Sequence, residues 1–402
     1  MSTLLQINAT CNFGSTGRIA EEIAQRASSQ GWRCVIAHGG RYVRSSRFET
    51  IQVSSKLDNE LHSLKSFAFG MHGLGSTVAT QHFINKIELL KPDVIHLHNI
   101  HGYYINYRVL FEYLAKKDIP VVWTLHDCWT MTGQCTHFVS TNCNYWKTGC
   151  HNCKALGYAY KTLIDRSSKN WQSKKTAFTS VKQMTIVPVS HWLNEIVQAS
   201  YLNKYPSMVI HNGIDLNVFK PLPNNRTELG LDNRFTLLGV SSHWNDSKGL
   251  KEFVELSNNP DYQVVLIGVQ DKLVNKLPKT IKAIRRTENR QMLVKYYTAA
   301  DVFVNPSQAD SFPTVNLEAL ACGTPVVTYP TGGSPEAIDT HTGIVISKYD
   351  FHELLAAIEQ VRTKGKSFFT NACVERAKRE FDKNERFNDY INLYNKLIVK
   401  NG

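Results

Sequence analysis

No apolar run in the chain approaches the roughly 18 residues that a membrane span needs. The first residues, Met1-Ser-Thr-Leu-Leu-Gln-Ile-Asn-Ala9, lack the basic start and long apolar segment of a signal peptide. They read instead as a first core strand, and a cytoplasmic protein is the natural expectation. The turn after that strand lacks Gly-x-Gly-x-x-Gly, which argues against a dinucleotide-binding oxidoreductase. There is no internal repeat and no low-complexity tract, which excludes a repeat array. No nucleic-acid-binding signature accompanies the basic residues, so nucleic acid is not an expected partner.

What is present is an ordinary globular composition over 402 residues, too long for one core, so two domains of about 200 residues are expected. The formal net charge is +12, with the basic residues scattered. Such a surface favours anionic partners: nucleotide-sugars, lipid pyrophosphates or an anionic membrane face. Attraction to phosphorylated lipid competes here with plain solvation of surface charge. Cysteines number nine, and Cys128, Cys135, Cys143, Cys150 and Cys153 lie close together in sequence. In a reduced compartment such a cluster suggests metal before disulfide. Cys150-x-x-Cys153 has the inner spacing of a zinc half-site, with Cys143 and Cys135 as partners. The alternative is a loop of reduced or buried thiols.

Strand and helix patterns alternate from the start. Strands are expected at 4–9, 34–38, 94–98, 120–125, 185–189 and 208–211, and helices at 17–30 and 107–117. A stretch rich in Pro and Asn, 221–233, reads as the entry to a second domain. There the alternation restarts, with strands at 235–240, 263–267, 299–305 and 324–329 and a helix at 249–256. This is the pattern of α/β, doubly wound parallel sheets. A final helix at 386–398 is apolar at Phe387, Tyr390, Ile391, Tyr394 and Leu397.

The most informative segment is Asp310-Ser-Phe-Pro-Thr-Val-Asn-Leu-Glu-Ala-Leu-Ala-Cys-Gly-Thr-Pro-Val-Val327. Pro313 and Thr314 open a helix, Gly323 closes it, and Val326-Val327 begin a buried strand. A helix N-terminus presents free N–H groups and partial positive charge to a phosphate. Asp310 before the helix and Glu318 within it can accept pairs of hydroxyl hydrogen bonds. Phosphate plus polyol describes a nucleotide-sugar, although an acid near a helix start is often only a cap.

This acid-x7-Glu segment, with its small-residue helix and Gly-x-Pro-Val-Val strand, resembles the signature of the retaining GT-B glycosyltransferases of family 4. The resemblance covers nearly the whole chain. It implies two Rossmann-like domains facing across a cleft: 1–215 on the acceptor side, 216–385 for the nucleotide-sugar, and 386–402 packing back on the first. It implies that Glu318 holds the ribose, that Asp310 holds the transferred sugar, and that Ser311, Phe312, Pro313, Thr314 and Val315 line the donor. The family's usual Glu-Gly is here Asp310-Ser311, one methylene shorter. Lys248-Gly249, in Ser241-Ser-His-Trp-Asn-Asp-Ser-Lys-Gly249, fits the diphosphate-holding lysine. The family's arginine position holds His243 and its glycine is Ser242, so His243, Arg285, Arg286 or Arg18 completes the clamp. Backbone near 285–287 is the expected base contact.

Three stretches sit where first-domain strands should end, the edge at which open α/β sheets bind ligands. Asn12-Phe-Gly-Ser-Thr-Gly-Arg18 is a Gly-rich turn, and by the resemblance Gly14, Ser15, Thr16 and Gly17 meet the donor phosphates. His96-Leu-His98-Asn99-Ile-His101-Gly-Tyr103-Tyr104 offers alternating histidines that could bind metal, line an acceptor pocket or cap the core. His126-Asp127 follows at the next strand end. In the family a histidine there lies near the reacting sugar, which makes His126, Asp310 and Lys248 the catalytic candidates. His98, Asn99, His101, Tyr103 and Asp127 are the acceptor-side candidates. Val209-Ile-His-Asn-Gly-Ile-Asp215 fits the family's element at the domain junction, and Thr331-Gly-Gly-Ser-Pro-Glu336 is a further Gly-rich turn.

With the cysteine loop, these stretches resemble a branch acting in capsule, O-antigen or exopolysaccharide assembly. The expected activity is retaining transfer of a sugar from a nucleotide-diphosphate donor to a lipid-linked oligosaccharide or saccharide acceptor. No cofactor is required for it, beyond the zinc that the cysteine loop would hold for structure. The expected location is the cytoplasm, with peripheral contact at the inner face of the membrane. A GT-B nucleotide-sugar epimerase and a catalytically silent binding subunit are the alternatives.

Overall fold

The computed structural model describes residues 1–156, 160–223, 226–286 and 289–399. It divides into two compact units, Met1–His211 with Arg386–Gly402, and Asn212–Glu385. The division falls before Asn212, so the Asn-Gly-Ile-Asp215 element goes with the second unit rather than closing the first. Pro221, expected at the domain entry, lies inside it.

The first unit is built on β1 (Thr3–Asn8), β2 (Arg33–His38), β3 (Glu49–Gln52), β4 (Val94–Leu97), β5 (Val121–Leu125) and β6 (Met184–Pro188). They form one sheet in the order β3-β2-β1-β4-β5-β6, and every pairing is parallel. Strands β1, β4, β5 and β6 are buried along their whole length, as a parallel sheet covered by helices on both faces requires. The segment 208–211, expected as a strand, is not one. It runs extended beside β6, with Met208 N donating to Ile186 O at 3.0 Å and Ile210 N to Pro188 O at 3.2 Å.

The second unit repeats the plan with β7 (Phe235–Val240), β8 (Tyr262–Val269), β9 (Ile281–Arg285), β10 (Val302–Asn305), β11 (Val326–Thr328) and β12 (Gly343–Val345). Its sheet runs β12-β11-β10-β7-β8-β9, again parallel throughout. In each sheet the strand order reverses at one place, between β1 and β4 and between β10 and β7. Right-handed crossovers leave on opposite faces there, and the loops at the carboxyl ends part to open a crevice.

The last helix, Lys383–Val399, starts earlier than its apolar pattern predicts and from Arg386 onward is part of the first unit. Phe387, Tyr390, Ile391, Leu393 and Tyr394 join a core cluster with Ile19, Ile23, Ala27, Cys34 and Val94. The first helix, Gly14–Ser28, supplies Ile19, Ile23 and Ala27 at helical spacing and starts at Gly14 rather than 17. Tyr394 is fully buried, 5.7 Å from the Trp32 ring, and its hydroxyl donates to His96 Nδ1 at 2.6 Å. Tyr394→Ala would empty this space and strip His96 of a partner. We expect it to lower stability by about 3–5 kcal/mol, read as a shift in the urea midpoint of the first unit's unfolding.

Candidate active site

At the reversal of the second sheet, the loop after β7 meets the loop after β10. The first is stitched down by Trp244, whose indole Nε1 donates to Ile267 O at 2.9 Å. Asn245 caps the following turn at Lys248 N, at 3.2 Å. Gly249 then takes φ +78°, and a Cβ at that position would lie 2.2 Å from Pro306 Cγ. Only glycine permits this close approach, and the approach delivers Lys248 to the second loop. Lys248 Nζ donates to Ser307 Oγ at 3.2 Å, Ala309 O at 2.9 Å and Asp310 Oδ2 at 2.9 Å. Ammonium and carboxylate are 30% and 22% exposed, so the pair is reachable by a ligand.

Pro313, extended at φ −72° and ψ 116°, precedes the helix Thr314–Ala321, and no side chain caps its start. Glu318, half-buried on that helix, accepts from the Tyr297 hydroxyl at 2.8 Å. Burial first, and then the Glu318 charge, push the Tyr297 hydroxyl well above its usual value, so it remains a donor. The buried Ser311 Oγ, Asn316 Nδ2 and Ser334 Oγ have no hydrogen-bond partner among the described residues. Gly333 N donates to Ser311 O at 3.0 Å, which brings the expected Gly-rich turn against the Asp310 loop. A helix start without a side-chain cap leaves its first N–H groups available to an anionic ligand.

Not every expected donor residue joins this cluster. Phe312 is buried, its ring lies tilted 5.9 Å from that of Phe381, and its carbonyl accepts Asn212 Nδ2 at 3.2 Å, so the ring belongs to the core. Thr314 and Val315 are half-buried in the first helical turn. His243 is exposed, with Gln270 Nε2 on its Nδ1 at 2.7 Å. Arg285 is exposed at the end of the edge strand β9 and pairs with Asp271 at 2.8 Å. Arg286 is likewise exposed, and residue 287 lies outside the described residues.

In the first unit, the carboxyl ends of β1, β4 and β5 hold a second polar cluster. Asn8 joins two of them: its Nδ2 donates to Thr10 O at 2.9 Å and its Oδ1 accepts Asn99 N at 3.3 Å. A Cβ on Gly17 would lie 2.7 Å from Thr10 Oγ1, which accounts for the glycine inside the first helix. Gly14 has φ +67°, and Ser15 and Thr16 stand exposed and half-buried at a helix start without a side-chain cap.

The histidines form an ordered chain. Gln6 Nε2 donates to Ala20 O at 2.8 Å, so its Oε1 faces His98 Nε2 at 2.9 Å. His98 therefore carries its proton on Nε2 and accepts with Nδ1. His126 Nε2, 3.2 Å from that Nδ1, must donate, which leaves the lone pair of His126 on Nδ1. Burial, with neighbouring histidines adding to it, keeps His96 and His98 well below the usual histidine value. Burial likewise carries His126 down to about 4 against the opposing charge of Asp127. Burial alone would raise Asp127, but the His101 charge and hydrogen bond outweigh it and bring it to about 2. His101 Nε2 sits 2.9 Å from Asp127 Oδ2, and its Nδ1 meets the Tyr160 hydroxyl. His98, Asn99, His101, His126 and Asp127 line a small cavity of about 10 Å³ with Trp123 and Trp129. Tyr103 stands apart from that lining at φ +69°, its ring 5.7 Å from His62 and 5.4 Å from Tyr160.

The cysteine loop is gathered by sulfur hydrogen bonds: Gly133 N to Cys150 Sγ at 3.2 Å and Gln134 Nε2 to Cys153 Sγ at 3.7 Å. All nine thiols are free, and no three sulfurs among Cys135, Cys143, Cys150 and Cys153 lie within 4.8 Å of one another. Burial pushes Cys135 up to about 12 and Cys150 to about 11. Beneath the loop, fully buried Lys174 donates to Trp129 O at 2.7 Å and Thr132 O at 3.0 Å. Burial, partly opposed by the nearby thiols, lowers that lysine to about 7.

Sequence reasoning did not identify Gln6, Ser307, Tyr297, Asn316 or Lys174. Gln6 carried a signal, a polar residue inside the apolar strand Leu4-Leu-Gln-Ile7. Tyr297 and Lys174 meet the sites only through tertiary contact, whereas Ser307 and Asn316 lie beside or within the Asp310–Val327 segment.

A family model described as "Glycosyltransferase Family 4" matches residues 16–218, half of the chain, and one described as "Glycosyl transferases group 1" matches residues 234–364. The chain belongs to glycosyltransferase family 4. Among the relatives of this transferase is the Escherichia coli (strain K12) protein named "Putative colanic acid biosynthesis glycosyl transferase WcaC", 23% identical over 98% of this chain and 100% of its own. Sucrose-phosphate synthase from Thermosynechococcus elongatus has a similar structure, with TM-score 0.77 and 16% identity over 100% of both chains. Anabaena Alr3699/HepE in complex with UDP-glucose matches with TM-score 0.67 and 15% identity over 98% of this chain and 100% of that one. These likenesses show the GT-B fold, and family membership makes the chain a transferase.

Two outcomes follow from the buried histidines. His62 and His126 titrate near 4 and His72 near 3 in the folded chain, against 6.5 for an ordinary histidine. Below pH 6.5 the unfolded chain takes up protons that the folded first unit refuses. Stability is therefore full above 6.5 and falls as pH drops toward 4, by about 1.4 kcal/mol per pH unit for each such histidine. Thermal unfolding followed from pH 7 to pH 4 should show the first unit melting progressively earlier; a flat profile would mean these rings are solvated. Secondly, ¹⁵N spectra of the imidazoles should show His126 protonated on Nε2, and Gln6→Leu should mix its tautomers.

Proposed function

We propose that this family 4 transferase moves a sugar, with retention of anomeric configuration, from a nucleoside-diphosphate donor to a lipid-linked or saccharide acceptor in surface polysaccharide assembly. The observation that carries this reading is the Lys248–Asp310 pair at the uncapped start of the helix that bears Glu318. Departure of a nucleoside diphosphate leaves negative charge on phosphate oxygens. Lys248 and the helix N–H groups are fixed beforehand to receive that charge, so little reorganisation opposes the step. Three acceptors hold the ammonium in the free protein. A bound diphosphate replaces some of them, and Asp310 is released toward a sugar hydroxyl. Glu318, positioned by Tyr297, suits paired ribose hydroxyls. The positive charge comes from protein groups, so this reading requires no metal ion for the transfer.

His126 is proposed on the acceptor side, because its Nδ1 lone pair can accept a hydroxyl proton or hydrogen bond while the ring stays neutral. His98 and Gln6 hold its tautomer, and His101 with Tyr160 holds Asp127. The involvement in surface polysaccharide draws support from the relative named for colanic acid biosynthesis. The nucleoside-diphosphate donor draws support from the neighbour crystallised with UDP-glucose.

The test is donor binding across a panel of UDP- and GDP-sugars. Lys248→Ala should remove a charge-assisted hydrogen bond of about 1.5–3 kcal/mol and weaken nucleoside diphosphates by about 10- to 150-fold. Nucleoside affinity should hardly change. Equal losses for diphosphate and nucleoside would assign Lys248 to the fold, and transfer with inverted configuration would overturn the retaining mechanism.

A further inference from the structure

The helix Lys56–Phe69, between β3 and β4, is turned inside out. Its buried residues are polar: Asn59, His62 and Ser66. Its exposed residues include Leu57, Leu61, Leu64 and Phe67, at 64%, 58%, 63% and 41% exposure. At about 100° per residue, the three leucines fall within a sector of about 60°. Lys65 borders that sector on one side, and Glu60, Phe67 and then Lys56 follow on the other.

Hydrogen bonds lock this orientation. Asn59 Nδ2 donates to Gly39 O at 2.7 Å, and Ser54 Oγ to Asn59 Oδ1 at 2.8 Å. His62 Nε2 accepts Gly75 N at 3.0 Å, and its Nδ1 lies 3.0 Å from Ser76 Oγ. Ser66 Oγ donates to Met71 O at 3.2 Å. A Cβ on Gly75 would fall 2.4 Å from the His62 ring, so the chain has left room for that histidine. Rotating the leucines inward would break all of these bonds, so their exposure is a built feature. Phe69, Leu163 and Ile164 extend the patch at 57%, 70% and 51% exposure, with Leu163 N held on Phe67 O at 2.9 Å.

We propose that this face rests on the surface of an anionic lipid bilayer. Leucine and phenylalanine side chains enter the acyl boundary, while Lys56 and Lys65 reach back to lipid phosphates. Charge favours a bilayer over an apolar partner. The chain carries a net charge of +12, and of the helix's own acids Asp58 is engaged at the helix start. Asp58 closes the capping box with Ser55, and Glu60 faces Lys56 at 4.0 Å. No helix among the described residues is long and apolar enough to cross a membrane, so the contact is interfacial. Such a contact would bring the enzyme to a lipid-borne acceptor. It stands apart from the proposed transfer, because vesicle binding needs no sugar chemistry.

The experiment is flotation of the full chain with vesicles of phosphatidylcholine alone, or of equal parts phosphatidylcholine and phosphatidylglycerol. The wild-type chain should float with the anionic vesicles and not with the neutral ones, and added salt should weaken binding. Leu61→Glu/Leu64→Glu should reduce binding by about tenfold or more, because two buried leucines are lost from the interface. Lys56→Gln/Lys65→Gln, which leaves the apolar face intact, should lessen the salt dependence. Melting temperature and nucleoside-diphosphate affinity should be unchanged in both variants. Failure of the wild-type chain to float, or equal flotation of the leucine variant, would overturn the proposal. So would a wild-type dimer that the leucine variant converts to monomer without any vesicle binding, since the patch would then belong to a second copy of the chain.

Discussion

The handedness of parallel-strand crossovers constrains everything else in this molecule. A right-handed connection places each helix on one face, and reversing the direction of winding is the one way to cover both. Each sheet therefore has a single reversal, between β1 and β4 in the first unit and between β10 and β7 in the second. The loops at these points part because their helices leave in opposite directions. The chemistry-bearing residues collect there: Asn8, His98 and His126 in one unit, Lys248 and Asp310 in the other. The twofold use of one plan explains why a chain of this length needs no unusual composition to build an enzyme.

The two clusters solve opposite electrostatic problems. In the second unit, charge is kept accessible, with Lys248 and Asp310 paired yet partly exposed and a helix start left without a side-chain cap. In the first unit, charge is suppressed. Among the described residues six histidines, His38, His62, His72, His96, His98 and His126, are held down by burial, and hydrogen bonds fix who donates to whom along His96, His98 and His126. A neutral imidazole with one assigned lone pair is a directional acceptor, which a freely titrating surface histidine is not. The proton order is set at Gln6, whose amide can present only its oxygen to His98 because Ala20 O occupies its nitrogen.

The final helix ties these features to stability. Tyr390 and Tyr394 fill the first unit's core and also close the polar chain through Thr124 and His96. Core packing and imidazole orientation are thus one structure, and a change that loosens the helix disturbs the histidines as well. By contrast, the cysteine loop is held by Lys174 and by weak sulfur hydrogen bonds.

Much of this was legible in the amino-acid order, wherever the determinant was local. Strand and helix alternation announced two parallel sheets. Gly249, Pro313 and Gly323 marked the turns that carry Lys248 and bound the signature helix, because φ values near +75° and a missing N–H constrain any chain in the same way. The acid-x7-Glu spacing was readable because it is measured along one loop and one short helix. Local pattern failed where the decisive partner is distant in sequence. Tyr297 reaches Glu318 from the preceding helix, and the pairing of Lys248 with Asp310 spans 62 residues. The Phe312 ring is turned toward Phe381, a packing contact that local pattern does not encode. The inverted helix at Lys56–Phe69 is the clearest case. Periodicity reveals an apolar stripe, but only the bonds of Asn59, His62 and Ser66 with the rest of the unit determine that the stripe faces outward.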